Sequence, residues 1–216
     1  MEVKFNADEF HYAMEFWYQH SKKTLAEQMH TELKGIVRNV VEITPPGDFS
    51  NKGLAAKKQG EGRIKSDLHK LFNPIAARSG QGFGFERSAD LPNLHKRHRN
   101  RRGRITGKPG YYVKQRDFNA YQKTVVKRVG KLAAGWNRAA ARFGYKPPAW
   151  VWRHASPGFV RVTLNDRHLN FVMINKVPYA GEQKNMEARI QYAINMQENK
   201  LKRRINNRWK AASPFK

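Results

Sequence analysis

The stretch VVEITPPGDFSNKGLAAKKQGEGRIKSDLHKLF, residues 40–72, decides how the rest of the chain is read. An apolar helical run halts at a double proline, crosses a segment rich in Gly, Asn and Ser, and restarts as a basic helix. Thr44, Pro45 and Pro46 end the first helix, because a residue before proline is pushed out of the helical region and each proline lacks an amide donor. The segment GDFSNKG reverses the chain, and residues 54–72 resume with Leu54, Ile64, Leu68 and Leu71 as apolar positions. Gly60 and Gly62 weaken that second helix by about 1 kcal/mol each relative to Ala, and mark either a close backbone approach or a break. The whole stretch reads as a joint in a scaffold.

Upstream, Asn6 caps a helix whose third position is Glu9, an amide variant of the capping box. Phe10, Met14, Trp17, Leu25, Met29, Leu33, Ile36, Val37, Val40 and Val41 recur at the three-to-four spacing of one helix face. That period predicts one long helix over residues 7–43, weakest in QHSKKT near Ser21.

Downstream, residues 73–114 show little periodicity, repeated Gly and a basic run, which predicts an extended basic arm or loop that orders against a partner. Residues 115–144 return to helical spacing with Phe118, Tyr121, Val125, Val129, Leu132, Trp136, Ala140 and Phe143, and stop at Gly144 before YKPP. Gly130, Ala133, Ala134 and Gly135 beside Trp136 point to close packing. FVRVTLND and LNFVMINK read as a strand pair with a hairpin turn around Asn165 and Asp166, and PAWVWRH as an additional strand or edge. Finally, NMEARIQYAINMQENKLKRRINNRWKAA predicts a second long helix, with Ile190, Ile194, Leu201, Ile205 and Trp209 as a narrow apolar stripe. The expected fold is α+β: long N- and C-terminal helices and a central helix packed on a small antiparallel sheet, with an extended basic loop. We read residues 1–216 as a single domain, in which 115–212 supply the central helix, the strand pair and the C-terminal helix.

The chain carries 42 Lys and Arg against 17 Asp and Glu, a formal charge of +25, with 39% hydrophobic residues. Its pI is about 10.5 and its mean hydropathy −0.81. Such a field repels copies of itself and attracts polyanions, so it points either to nucleic acid or to an acidic protein surface. An aromatic share of 12% argues against wholesale disorder. With no Cys, the chain makes no disulfide, Cys-based zinc site or thiol nucleophile. The start MEVKFNADEFHYAMEF does not resemble a signal peptide, and no apolar run reaches membrane-spanning length, which predicts a soluble protein with no membrane contact.

Catalytic patterns are sparse. Neither a G-x-S-x-G elbow nor a phosphate-binding G-x-x-x-x-G-K-[ST] loop occurs, and GQGFGF at residues 80–85 lacks a strand leading into it. His95 and His98 have a spacing that places two imidazoles on one helix turn, but adjacent cations oppose a divalent ion there and no carboxylate completes the set. Glu61, Asp67, Glu86, Asp90, Asp117 and Asp166 are isolated, so no two-metal cluster is legible. We expect no enzyme, no cofactor and no metal.

The sharpest electrostatic feature is KRHRNRRGR, residues 96–104. Lys96, Arg97, Arg99, Arg101, Arg102 and Arg104, followed by Tyr111 and Tyr112, combine phosphate-seeking cations with aromatic surfaces on which bases stack. The same run equally suits docking on an acidic neighbouring subunit. Without a helix-turn-helix, zinc finger or RNP motif, sequence-specific readout is not expected.

The order of elements resembles the minor tail proteins of tailed bacteriophages, in particular the tail-completion or minor tail protein Z type, and neck proteins like them. The resemblance runs from about residue 7 to 212. It rests on Thr44, Pro45, Pro46, Gln59, Gly60, Asp67, Leu68, Gly130, Leu132, Gly135, Trp136, Ala140, Gly144, Val177, Pro178, Tyr179 and Ala180. It implies a virion structural protein, assembled in the host cytoplasm, that completes the head-proximal end of the tail or the neck as one subunit of a multimeric ring. Its implied partners are other copies of itself, neighbouring tail-tube, tail-terminator or connector proteins, and packaged DNA. The alternative from the residues alone is a nonspecific nucleic-acid-binding protein whose basic arm is the working surface.

Overall fold

The computed structural model describes residues 2–5, 25–76, 85–98, 105, 110–164, 169–183 and 185–212. In chain order the elements are β1 (Glu2–Phe5), α1 (Leu25–Ile43), α2 (Gly53–Leu71), β2 (Phe72–Ile75), a 3-10 turn (Ser88–Asp90), α3 (Leu91–Arg97), β3 (Tyr111–Lys114), α4 (Gln115–Val126), α5 (Lys131–Ala134), α6 (Asn137–Arg142), α7 (Ala149–Trp152), β4 (Phe159–Leu164), β5 (Leu169–Ile174) and α8 (Met186–Ala212). Helix and strand are mixed and the class is α+β. The sequence reading treats the chain as one domain; the fold groups it into two compact units, Met1–Gly53 with Gly130–Lys216 and Leu54–Val129.

The first unit holds a three-stranded antiparallel sheet in the order β1-β5-β4. Strands β4 and β5 pair in the register Phe159↔Ile174 to Leu164↔Leu169, as the alternating apolar residues require, and the predicted turn at Asn165 and Asp166 lies outside the described residues. Glu2↔Ile174 to Phe5↔Phe171 adds β1 on the other side of β5, a strand that the sequence reading does not anticipate. Helix α1 runs alongside α8. Met29, Leu33, Ile36, Val37, Val40 and Val41 of α1 and Met186, Ile190, Ala193, Ile194 and Leu201 of α8 are buried. Close approach of the two helices is legible at Gly35, where a Cβ would collide with the Gln197 side chain. Buried Glu32 is paired across the two helices: Gln197 Nε2 donates to Glu32 Oε2 at 2.6 Å, and Arg204 spans both Glu32 oxygens at 2.8 and 3.1 Å. A carboxylate desolvated this far needs such partners, since an unpaired buried charge costs several kcal/mol.

The joint at the end of α1 forms as the double proline dictates. Thr44 Oγ1 donates to Val40 O at 2.6 Å, Gly47 N to Thr44 O at 3.0 Å, and the Pro45–Pro46 bond is cis. Arg189 Nη1 of α8 reaches Ile43 O, a carbonyl that the helix C-terminus leaves orphaned, at 2.7 Å, and Gly47 O in the following turn at 2.8 Å. Asp48 Oδ1 accepts the amides of Ser50 and Asn51 at 2.9 and 2.6 Å, and the chain enters α2 through Gly53 at φ 57. Helix α2 then runs unbroken through Gly60 and Gly62.

The second unit packs Leu68, Leu71, Phe72, Leu91, Leu94, Val113 and Phe118 into one cluster, with Ile64, Ile105, Tyr111 and Tyr121 against it. Its two strands pair in parallel, Phe72↔Tyr111 to Ile75↔Lys114.

Three expectations need correction. The extended basic arm over 73–114 is in part structured: β2 and β3 bracket it, and α3 lies inside it. Leu91, Leu94 and His95 are buried on one face of α3 and Pro92 sits in its first turn, a two-turn amphipathic signal too short to stand out among basic neighbours. The helix expected over 115–144 is three pieces, α4, α5 and α6: α4 and α5 are parted at Gly130, whose φ of 96 and contact with the Trp150 carbonyl exclude a side chain, and α5 and α6 at Gly135 and Trp136. PAWVWRH is the short helix α7, started by Pro148 at its N-cap with Trp150 and Val151 buried, and not a strand. Of the helix expected over 7–43, residues 25–43 are α1; residues 7–24 lie outside the described residues.

Candidate polyanion-binding face

The second unit concentrates positive charge. Residues 54–129 carry 19 Lys and Arg against 5 Asp and Glu, a net of +14, out of +25 for the whole chain. What that charge can do depends on where the fold puts it.

Lys96 and Arg97 are exposed in the last turn of α3, whose apolar face is held inward by Leu91 and Leu94. Arg99, Arg101, Arg102 and Arg104 lie outside the described residues. Tyr111 and Tyr112, treated alike by sequence, are separated by the two-residue period of β3. The Tyr111 ring turns inward, 6.4 Å from the Phe72 ring, and its hydroxyl meets His98 Nε2 at 2.8 Å. Tyr112 is on the opposite face of the strand and 40% exposed, with Lys114 exposed two residues on. Stacking needs ring surface that solvent reaches, and Tyr112 is the more exposed of the two.

His95 and His98 are not arranged as a metal pair. Their ring nitrogens point to different tyrosines, His95 Nδ1 to Tyr121 Oη at 2.8 Å and His98 Nε2 to Tyr111 Oη at 2.8 Å. The pair therefore ties α3 to α4 and to β3, and these hydrogen bonds hold the exposed end of α3 in place. Among the described residues no three His, Asp or Glu side chains gather where they could hold a metal ion. Among the same residues, no helix is long and apolar enough to cross a membrane.

A second set of cations, which the sequence reading passes over, lies on α4. Phe118 and Val125 are buried and Tyr121 is half-buried, which sets the inward side of the helix. At 3.6 residues per turn, Arg116, Lys123 and Lys127 then fall within an arc of about 40° on the opposite side. All three are exposed, as are Asn119, Ala120 and Thr124 between them. Lys127 caps α4 with helical φ and ψ, so the row continues to the helix end. Over eleven residues it runs about 16 Å. The one acid of α4, Asp117, is half-buried about a quarter turn away. Among the described residues no carboxylate lies within ion-pair distance of Lys114, Arg116 or Lys123. The spacing i, i+7, i+11 opposite two apolar anchors was the available signal, masked by the more conspicuous run at 96–104.

No family model matches the chain, and neither a curated protein nor a solved structure matches it.

Proposed function

We propose that the chain is a non-enzymatic structural subunit of a tailed bacteriophage, completing the head-proximal end of the tail or the head-tail neck as part of a multimeric ring. The observation that supports this reading is where its landmark residues sit. Trp136, 1% exposed, donates its indole Nε1–H to Thr44 Oγ1 at 3.0 Å, so the landmark tryptophan locks the landmark proline joint. Asn175 Nδ2 donates to Leu132 O at 2.9 Å while Asn175 Oδ1 accepts the Val177 amide at 3.1 Å, and Ala180 N closes on Val177 O at 2.8 Å. A Cβ at Gly135 would collide with the Asn175 carboxamide, and one at Gly158 with Gly135 O. Thr44, Leu132, Gly135, Trp136, Val177 and Ala180 are thus joints of one framework and not a convergent polar site. A ring subunit needs such a framework, because neighbours in a closed assembly read its geometry repeatedly.

Two measurements test the reading. Light scattering on nuclease-treated protein is expected to give a discrete multimer that persists in high salt and whose copy number does not depend on a short DNA duplex. In infections by the parent phage with its copy of this gene disrupted, particles are expected to lack completed head-tail joints and to regain them when the wild-type chain is supplied. Infectious, complete particles formed without the protein would overturn the proposal.

A further inference from the structure

We infer that the exposed face of α4, continued by Tyr112 and Lys114 of β3, binds the phosphate backbone of double-stranded nucleic acid without reading its sequence. This goes beyond the virion reading and does not rest on it, since the same face would act alike in a free nucleic-acid-binding protein. It also relocates the contact that the sequence assigns to residues 96–104.

Three observations carry the inference. First, the cations form a line and not a patch: Arg116, Lys123 and Lys127 sit in register along one helix, opposite Phe118 and Val125. A row about 16 Å long spans the length of duplex axis that about five phosphates of one strand occupy, at about 3.4 Å each. Second, the surface between the cations suits a backbone. Asn119 and Thr124 carry hydrogen-bonding groups, Ala120 leaves room for close approach, and no acid or large apolar side chain stands on the row. Phosphate contacts of this kind set position and carry no base information. Third, Lys114 and Arg116 lie on adjacent elements with no intervening turn, since β3 ends at Lys114 and α4 begins at Gln115. Lys114 and Tyr112 are therefore exposed residues of a strand joined directly to the start of the row. An acidic protein surface would be met as well by scattered cations; a straight row on a rigid helix is the geometry a regular polyanion rewards.

The test uses the full-length, nuclease-treated protein and fluorescence anisotropy with two 20-base-pair DNA duplexes of unrelated sequence, across a salt series. The wild type is expected to bind both duplexes equally. Each phosphate neutralised contributes about 0.9 to the slope of log affinity against log salt. The variant R116Q/K123Q/K127Q is therefore expected to lose about 2 to 3 from that slope and about tenfold or more in affinity at low salt. A control with the same charge change on exposed cations of the other unit, K131Q/R138Q/R142Q, is expected to keep the wild-type slope. The charge-conserving R116K/K123R/K127R is expected to bind as wild type, which separates lost contacts from a damaged fold, as does an unchanged thermal melt of the Gln variant. Equal losses in the α4 and control variants would overturn the proposal in favour of net charge alone. Preference for one duplex would overturn the claim of sequence independence. Competition by poly-L-glutamate at a matching charge concentration as effective as that by duplex would assign the face to an acidic protein instead.

Discussion

The two units of this chain solve different problems with different residues. The first, residues 1–53 with 130–216, holds thirteen of the resemblance landmarks, from Thr44 through Trp136 to Ala180, and is cross-braced by buried polar joints. The second, residues 54–129, is shorter and holds four, Gln59, Gly60, Asp67 and Leu68, yet carries +14 of the +25 net charge. Its interior is aromatic, with Phe72 facing Tyr111, Phe118 and Tyr121 at 6.3 to 6.4 Å. Framework and charge are thus segregated along the chain. A surface crowded with like charges destabilises its own compact state, and an aromatic cluster of large buried area is one way to offset that.

The sharpest way to break this contrast is to remove the aromatic hub. Phe72→Ala is expected to cost about 3–5 kcal/mol, because Phe72 is fully buried and three rings lose their common neighbour. Urea denaturation measures the loss, and amide hydrogen exchange should place it in residues 54–129. A loss below about 1 kcal/mol would mean that the aromatic cluster is not what holds this unit.

Next in size is a polar joint of the first unit. Asn175→Ala strands the Val177 amide in a buried site and leaves the Leu132 carbonyl with the Gly135 amide as its remaining donor, and about 2–3 kcal/mol of destabilisation is expected in the same assay. If Asn175→Ala instead melts with the wild type, the joints are incidental and the contrast between the units falls. Thr44→Val is milder. It deletes the acceptor of the Trp136 indole while keeping the side-chain volume, for an expected loss of about 1–2 kcal/mol. The paired variant Trp136→Phe with Thr44→Val should cost less than the sum of the singles, since both remove one bond.

The smallest effect sharpens the account of charge in the first unit. Burial, with the Glu42 carboxylate adding to it and Arg38 opposing, pushes the Tyr145 phenol from its ordinary 10.0 up to about 12. Above pH 10 the unfolded chain releases that proton first while the native state keeps it. The stability contributed by the neutral phenol is therefore complete below pH 10 and lost as pH rises through about 12. Stability curves of wild type and Tyr145→Phe should diverge only in that window. Parallel curves through pH 12 would remove the phenol from the account.

Some of this was legible early. The strand pair β4 and β5, helix α8 and the stop at Thr44-Pro45-Pro46 follow from alternation, a long period and proline chemistry, all of which are local. The breaks within 115–144 were not: Phe118, Val125, Leu132, Trp136 and Ala140 keep a helical period across Gly130, and only the Trp150 backbone against that glycine shows why the chain turns. For the candidate face, the sequence pointed to a basic segment but chose it by density. The fold adds orientation, turning Tyr111 inward and Tyr112 outward and setting Arg116, Lys123 and Lys127 in line.

By itself, then, the sequence determined the α+β class, the strong basic charge and the positions where helices must stop, since these depend on backbone chemistry and short-range period. Tertiary structure alone decided the addition of β1 to the sheet, the parallel pairing of β2 with β3, the closure of the Thr44–Trp136 and Asn175–Leu132 joints, and which cations share a face. Those features join residues far apart in the chain, and their partners are selected by packing, which no local pattern encodes.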